Sequence, residues 1–525
     1  MRRLTALAMA ITISGSAWAA TPPDTLVVAR SIDDIASLDP AESFEITATN
    51  TLANIYQRLL EPDRQNPASL VPALASRWKA GDDDKSLVFE LRDGARFAAG
   101  NSVRPEDVIY SLSRVVKLNK SPAFILGELG WTAENVDSFL TRVDDQHVKI
   151  SWPAAVGSSF ALSILSATPV GFIVDAVEVG KHTKDADLGN GWLKNHSAGT
   201  GSYALRSYVP HEALVLQANP NAIKAPKLKT VILKNVTDPA TRRLLVVQGD
   251  ADLAFDLGAD QFIALEKQKG VSVQRFPSSM IYYLAINSGS TQAPALKNPA
   301  FWEAARWLVD YQGISKDLLK NQYSVHQAFL PEGVIGSLVD KPFKLDVDKA
   351  KAALKAGGIA EGTKIELNVF NQPPYTDIAQ ALQASFAKAG IEISVRPLVE
   401  SELLAKMRAR DFQLIFTYWG MDYLDPHSNA SAFTYNVANG PKTIALRTQW
   451  DIPQLSQETR TAAAERDPQK RVALYTDLQK TVQQSSPFVV ALQGQNQVAV
   501  HDGVQGMLQN ITVSLPYFDQ VSKSK

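Results

Sequence analysis

Residues 412–426 read Phe-Gln-Leu-Ile-Phe-Thr-Tyr-Trp-Gly-Met-Asp-Tyr-Leu-Asp-Pro. The first eight are dominated by β-branched and aromatic side chains, as a buried strand requires, and Gly420, two acids and a proline then end the run in a loop. Ligands of open α/β sheets bind where a strand end runs into such a loop, so this stretch points to both a fold class and a site. Working backwards, strand-like segments at 365–370 and 391–395 alternate with helical segments ending near Ala387 and covering 400–408. An earlier helix after Asp348 closes at Gly357-Gly358. Downstream come a helix at 468–485 and an apolar strand at 488–492. The rhythm is that of an α/β domain.

The N-terminal half has its own alternation. A strand is expected at 25–30 and a helix at 49–60. In 86–92, Leu87, Phe89 and Leu91 share one face, Asp93-Gly94 supplies a turn, and Pro105-Glu106-Asp107 opens a helix carrying Val108, Leu112 and Val115 at helical spacing. Gly199 and Gly201 suggest a sharp turn. With Ala204 they imitate a dinucleotide fingerprint, but a strand follows them where that fingerprint needs a helix. Further strands are read at 231–233, 251–255 and 281–286, a helix at 239–248, and a domain crossing from Asn287 to Pro299 ahead of a helix at 301–309.

The chain has 525 residues, too many for one core, and two or three domains are expected. Its 53 Lys and Arg nearly balance 54 Asp and Glu, which leaves no bias toward nucleic acid or a membrane surface. Arg2 and Arg3, an apolar run over 4–13 and Ala17-Trp18-Ala19 form a signal peptide expected to be cleaved after residue 19. Cleavage removes two arginines and no acid, moving the formal charge from -1 to -3. Nothing later is long and apolar enough to span a bilayer. The absence of cysteine excludes thiol catalysis, cysteine metal sites, disulfides and an N-terminal lipid anchor, so a soluble periplasmic protein is expected.

Several motifs occur in an order that resembles the family 5 extracellular solute-binding proteins. They are Ser37-Leu38-Asp39-Pro40, Val71-Pro72-Ala73-Leu74-Ala75 with Trp78, 87–94, Arg104-Pro105-Glu106-Asp107-Val108, Gly199-Thr200-Gly201-Ser202-Tyr203, Gly249-Asp250-Ala251-Asp252, Asp348-Lys349-Ala350-Lys351 and 419–426. The resemblance implies a two-lobed, type II periplasmic-binding-protein fold with an additional inserted α/β domain. By analogy the first lobe takes 20–56, 190–286 and 493–525, the inserted domain 57–189, and the second lobe 287–492. It also implies a monomeric receptor that closes on a small solute, a short peptide or another amine-bearing compound, and delivers it to an inner-membrane ABC permease. A non-peptide solute such as an opine, an oligosaccharide or a metal complex stays open as an alternative.

For the ligand site, the resemblance carries the role of an α-ammonium partner onto Asp422, which would otherwise read as a turn residue. Trp419 could pack on a ligand backbone. Gly420, Met421 and Tyr423 flank it, and Phe44 and Glu45 are carried over by position as a second loop against the ligand. Oligopeptide relatives have an arginine three residues before the tryptophan, where this chain has Phe416, so a ligand carboxylate is left without a partner. Arg408 and Arg410 read as solvated at a helix end. Asp425 reads as a turn residue and His427 as a loop residue. The seven histidines show no metal-ligand spacing, and no cofactor is expected. Neither Gly-x-Ser-x-Gly nor His-Glu-x-x-His occurs, so no enzyme is expected, a secreted hydrolase being the rival reading.

Overall fold

The computed structural model describes residues 21–438, 443–508, 510–511 and 516–524; the expected leader, residues 1–19, lies outside them. Among the described residues no helix is long and apolar enough to cross a membrane.

An eleven-stranded sheet organises most of the chain. Its spine is a pair of long antiparallel strands, Val271–Ile286 and Phe488–His501. On one side Phe488–His501 pairs with Leu253–Phe255, which leads through the parallel strands Thr25–Arg30 and Thr230–Asn235 to the hairpin of Ala213–Ala218 and Tyr203–Val209. On the other, Val271–Ile286 pairs with Leu414–Trp419, followed by Thr363–Phe370 and Ile391–Leu398 in parallel. Sequence reading finds only the second part of Val271–Ile286 and the first part of Phe488–His501. Pro277 and the polar run Gln493-Gly494-Gln495-Asn496-Gln497 hide the rest, because they break the apolar pattern that marks a strand.

The two halves of this sheet have separate cores. In the N-terminal half Leu26, Val28, Leu253, Val498 and Val500 face one cluster, while Ala29, Ala254 and Ala499 face another on the opposite side. That is the period-two alternation of a sheet covered on both faces. The other half has a single large cluster that takes in Ile281–Ile286, Leu367, Ile415, Phe416 and the helices around them. Phe416 is 1 % exposed, and its side chain belongs to this core.

A separate four-stranded antiparallel sheet, Ala75–Ala80, Ser86–Leu91, His147–Ser151 and Leu140–Arg142, packs against the helix Pro105–Leu118. Leu87, Phe89, Leu91, Val108, Leu112 and Val115 are all buried there, on the faces their spacing predicts. The Asp107 carboxylate accepts from the Arg104 N–H at 2.8 Å, closing the first turn of the helix. Asp39 ties this unit to the N-terminal segment. Arg114 donates to its two oxygens at 2.7 and 2.8 Å, and Asn190 adds a bond of 2.6 Å, all in the interior.

The glycine motif sits where the backbone bends, and it has a further purpose. Neither Gly199 nor Gly201 has a positive φ. Instead a Cβ on Gly199 would sit 2.1 Å from the Ile55 carbonyl oxygen, and one on Gly201 2.4 Å from that of Asn54. The glycines let two backbones touch, and Gly201 N–H donates to Ile55 at 2.8 Å.

Candidate functional site

The strand Leu414–Trp419 ends at a cleft of about 2030 Å³. One wall comes from the N-terminal segment at Phe44, Glu45 and Ile46, another from the four-stranded unit at Phe124 and Glu128, and the floor from 417–422. Phe44, Glu45, Trp419, Gly420, Met421 and Asp422 all line it. Tyr423 does not. It is 5 % exposed, belongs to the core of the four-stranded unit and meets Phe160 edge-on at 6.0 Å, because the loop plunges between the two bodies at that point.

Each loop residue is positioned by its neighbours. Gly420 passes so near Met280 that a Cβ would meet its sulfur at 2.7 Å. Met421 is buried against Val334 and Ile511. The Asp422 N–H donates to Ser428 Oγ at 2.9 Å, while its carboxylate has no hydrogen-bond or ion-pair partner among the described residues. Phe44 is 38 % exposed and stands edge-on to Phe124 at 5.9 Å, and the Glu45 carboxylate accepts from the Phe44 N–H at 3.2 Å.

Asp425 is more than a turn residue. It caps the helix Pro426–Thr434 and is held by both Nη atoms of Arg471, at 2.7 and 2.8 Å. His427 lies buried on that helix, where its Nδ1 meets the Tyr475 hydroxyl at 3.0 Å. Burial lowers its pKa to about 4, so the ring is neutral. Its Nε2 lies 4.0 Å from Glu128 Oε2.

The electrostatics of the floor are acidic and under-compensated. Burial, reinforced by the charge of Glu128 and opposed by Arg447, pushes the Asp422 carboxyl up to about 7. Burial alone pushes Glu128 up to about 7. Two acids from different bodies therefore face one space, and neither has a lysine or arginine ion pair among the described residues, an arrangement that favours a cationic ligand group. Sequence reading misses Glu128 and Arg447 because neither stands in a motif. Trp419 Nε1, Tyr283 Oη and Arg447 Nε are buried without hydrogen-bond partners among the described residues. No group of three His, Cys, Asp or Glu suited to a metal ion occurs among the described residues.

The model of the bacterial extracellular solute-binding proteins, family 5, matches residues 69–441. The probable D,D-dipeptide-binding periplasmic protein of Escherichia coli K12 is 29 % identical over 511 residues, covering 96 % of this chain and 94 % of its own. The glutathione-binding protein of Salmonella typhi is 23 % identical over 506 residues, with 93 % and 92 % covered. A periplasmic binding protein of Helicobacter pylori, solved in complex with the peptide STSA, superposes with a TM-score of 0.80 at 20 % identity over 95 % of this chain and 98 % of its own. That last likeness establishes the two-lobed fold.

Proposed function

The chain belongs to the bacterial extracellular solute-binding proteins of family 5, and from that membership we propose that it is the periplasmic substrate receptor of an ABC importer, binding a short peptide or related amine-bearing solute. The observation that carries the reading is Asp422, an acid without a cation partner among the described residues, set at a strand end in a cleft between two bodies. A ligand ammonium held there is enclosed by low-dielectric walls, where a charge pair is stronger than at the surface. Trp419, with its buried and unpartnered Nε1, offers a flat apolar face and a donor to the ligand backbone. The named preferences of the relatives, D,D-dipeptide and glutathione, supply the ligand class to try first.

The lobes are taken as 20–56, 190–286 and 493–525 for the first and 287–492 for the second, with 57–189 inserted. Closing them on solute and docking to a membrane permease, as a monomer, complete the proposed cycle. Catalysis has no place in it, since the family binds solutes.

The test is calorimetry with L-alanyl-L-alanine and D-alanyl-D-alanine on the parent protein and on Asp422→Asn. The variant is expected to bind more weakly by on the order of 2–5 kcal/mol, as for the loss of one member of a desolvated charge pair. Equal affinity in the two proteins removes Asp422 from the site.

A further inference from the structure

The cleft holds a positive group as well as its acids. Four arginines line it, and two of them, Arg460 and Arg466, are otherwise engaged. Arg466 pairs with Asp84 at 3.3 Å, Arg460 donates to Gln457 at 2.6 Å and lies over Tyr435, and Arg408 stands in solvent at a helix end. Arg447 is different. It closes the short helix Ile444–Arg447, whose Ile444 and Ala445 are buried in the large core, so its backbone is fixed. Its side chain is half-buried, with Nε inaccessible to solvent, and it makes no hydrogen bond or ion pair among the described residues.

A half-buried guanidinium left unpaired is costly, and the cost is recovered only when an anion arrives. Around Arg447 stand Asp422, close enough for the two charges to influence each other, Arg408, and the buried hydroxyl of Tyr283. The Tyr283 hydroxyl is likewise without a partner among the described residues. A planar fork of N–H donors beside a phenol matches a carboxylate, which accepts two parallel bonds from the fork and a third from the hydroxyl.

We propose that Arg447, assisted by Tyr283, reads a carboxylate of the ligand, so that the solute of this cleft is a compact zwitterion carrying both a free ammonium and a free carboxylate. This rests on the receptor reading above and deepens it: Asp422 and Glu128 take the positive end, Arg447 takes the negative end, and the apolar walls at Phe44 and Phe124 take what lies between.

The experiment uses the same two alanyl-alanine dipeptides and their C-terminal amides, which differ only in the charge that Arg447 would meet. The parent protein is expected to bind an acid about tenfold or more tightly than its amide. Arg447→Gln is expected to bring that ratio close to one by weakening the acid alone, with Arg447→Lys between the two. Asp422→Asn is expected to weaken acid and amide together and keep the ratio. A ratio near one in the parent protein overturns the assignment, and this measurement needs no variant to fold. An undiminished ratio in folded Arg447→Gln also overturns it. If the dipeptides and their amides all fail to bind the parent protein, the peptide-receptor reading falls, and the zwitterion assignment falls with it.

Discussion

Arg471 grips both carboxylate oxygens of Asp425, with Nη1 to Oδ2 at 2.8 Å and Nη2 to Oδ1 at 2.7 Å, and thereby clamps the loop that carries Asp422 to the helix Pro468–Ser485. The side chains are 14 % and 6 % exposed, so neither charge is well solvated if the other is removed. Arg471 also donates to the Tyr475 hydroxyl at 3.3 Å.

Arg471→Met is therefore expected to lower stability by about 3 kcal/mol, the cost of leaving the Asp425 charge buried without a cation. Arg471→Lys keeps the charge but loses the two-pronged geometry, and is expected to weaken dipeptide binding more than it lowers stability. Denaturant unfolding and calorimetry on both variants check this. Unchanged stability in Arg471→Met would remove the clamp from the account.

Binding should be coupled to protons. With Asp422 and Glu128 both near 7 in the free protein, part of their charge is missing at neutral pH, and an arriving ammonium restores it by expelling protons. Affinity for an alanyl dipeptide is expected to rise from pH 5.5 to 8, by up to about tenfold per pH unit for each proton released. The heat of binding should then change between buffers of different ionisation enthalpy. His427, held neutral with a pKa of about 4, contributes no proton in that window. A flat affinity profile would contradict the acidic floor.

The same shifts act on stability with a definite sign. A carboxyl whose folded pKa lies above its unfolded value binds more protons in the folded state, so between about 4 and 7 stability falls as pH rises. His427 works oppositely, since its depressed pKa makes stability fall as pH drops below 6.5. Comparing variant with parent removes the histidine from the result. Ligand-free Asp422→Asn is expected to exceed the parent by about 1–2 kcal/mol at pH 8, after allowance for water at the cleft floor, and by less at pH 5. Thermal melts at the two values test this. A variant less stable than the parent at pH 8 would mean that Asp422 serves the fold instead of the ligand.

Asp39 and Arg114 make the corresponding prediction for the frame. Their side chains are 0 % and 1 % exposed, so Asp39→Asn strands a buried guanidinium and is expected to cost about 3–5 kcal/mol. Pairing it with Arg114→Met should recover much of that loss. Double-mutant denaturation measures the coupling directly, and additive losses would deny it.

The extent to which these features were legible from sequence follows from how locally each is encoded. The loop that holds Asp422 could be found because the residues from Phe412 to Pro426 signal a strand and its end, but Asp422 itself reads as a turn residue there and was singled out only by the family resemblance. Leu87, Phe89 and Leu91 could be assigned to one face by their alternation. Glu128 could not be found, since it acquires meaning only beside Asp422 of another body, and Arg447 could not, since its place beside Asp422 and Tyr283 is set by packing and not by a motif. Arg471 was hidden likewise, so Asp425 read as a turn residue. Gly199 and Gly201 announced that something was tight, but whether a turn or a neighbouring backbone required them is decided by Ile55 and Asn54.

The long central strands supply the last prediction. Pro277 pairs with Gln495 and Ile281 with Gln493, so Ser278, Ser279 and Met280 stand opposite the single residue Gly494. Three residues against one, next to a proline that cannot donate, make this the weakest point of the ladder linking the two halves of the sheet. It lies several residues before the 286/287 boundary read from sequence. The cleft beside it, at about 2030 Å³, is roughly twice what a small ligand fills, so closure has room to occur. Rotation about this point is expected to bring Ile46 and Arg408, exposed residues on opposite walls, nearer to each other when dipeptide binds. A chain without cysteine lets both positions be replaced by cysteine and spin-labelled with no background. The distance between labels should shorten by several ångströms on adding a saturating alanyl dipeptide, while a label pair at Arg408 and Gln413, both on the same side of the break, should not change. Equal distances with and without bound dipeptide would place the motion elsewhere or deny it, and leave the bulge at Ser278–Met280 as a fixed feature of the sheet.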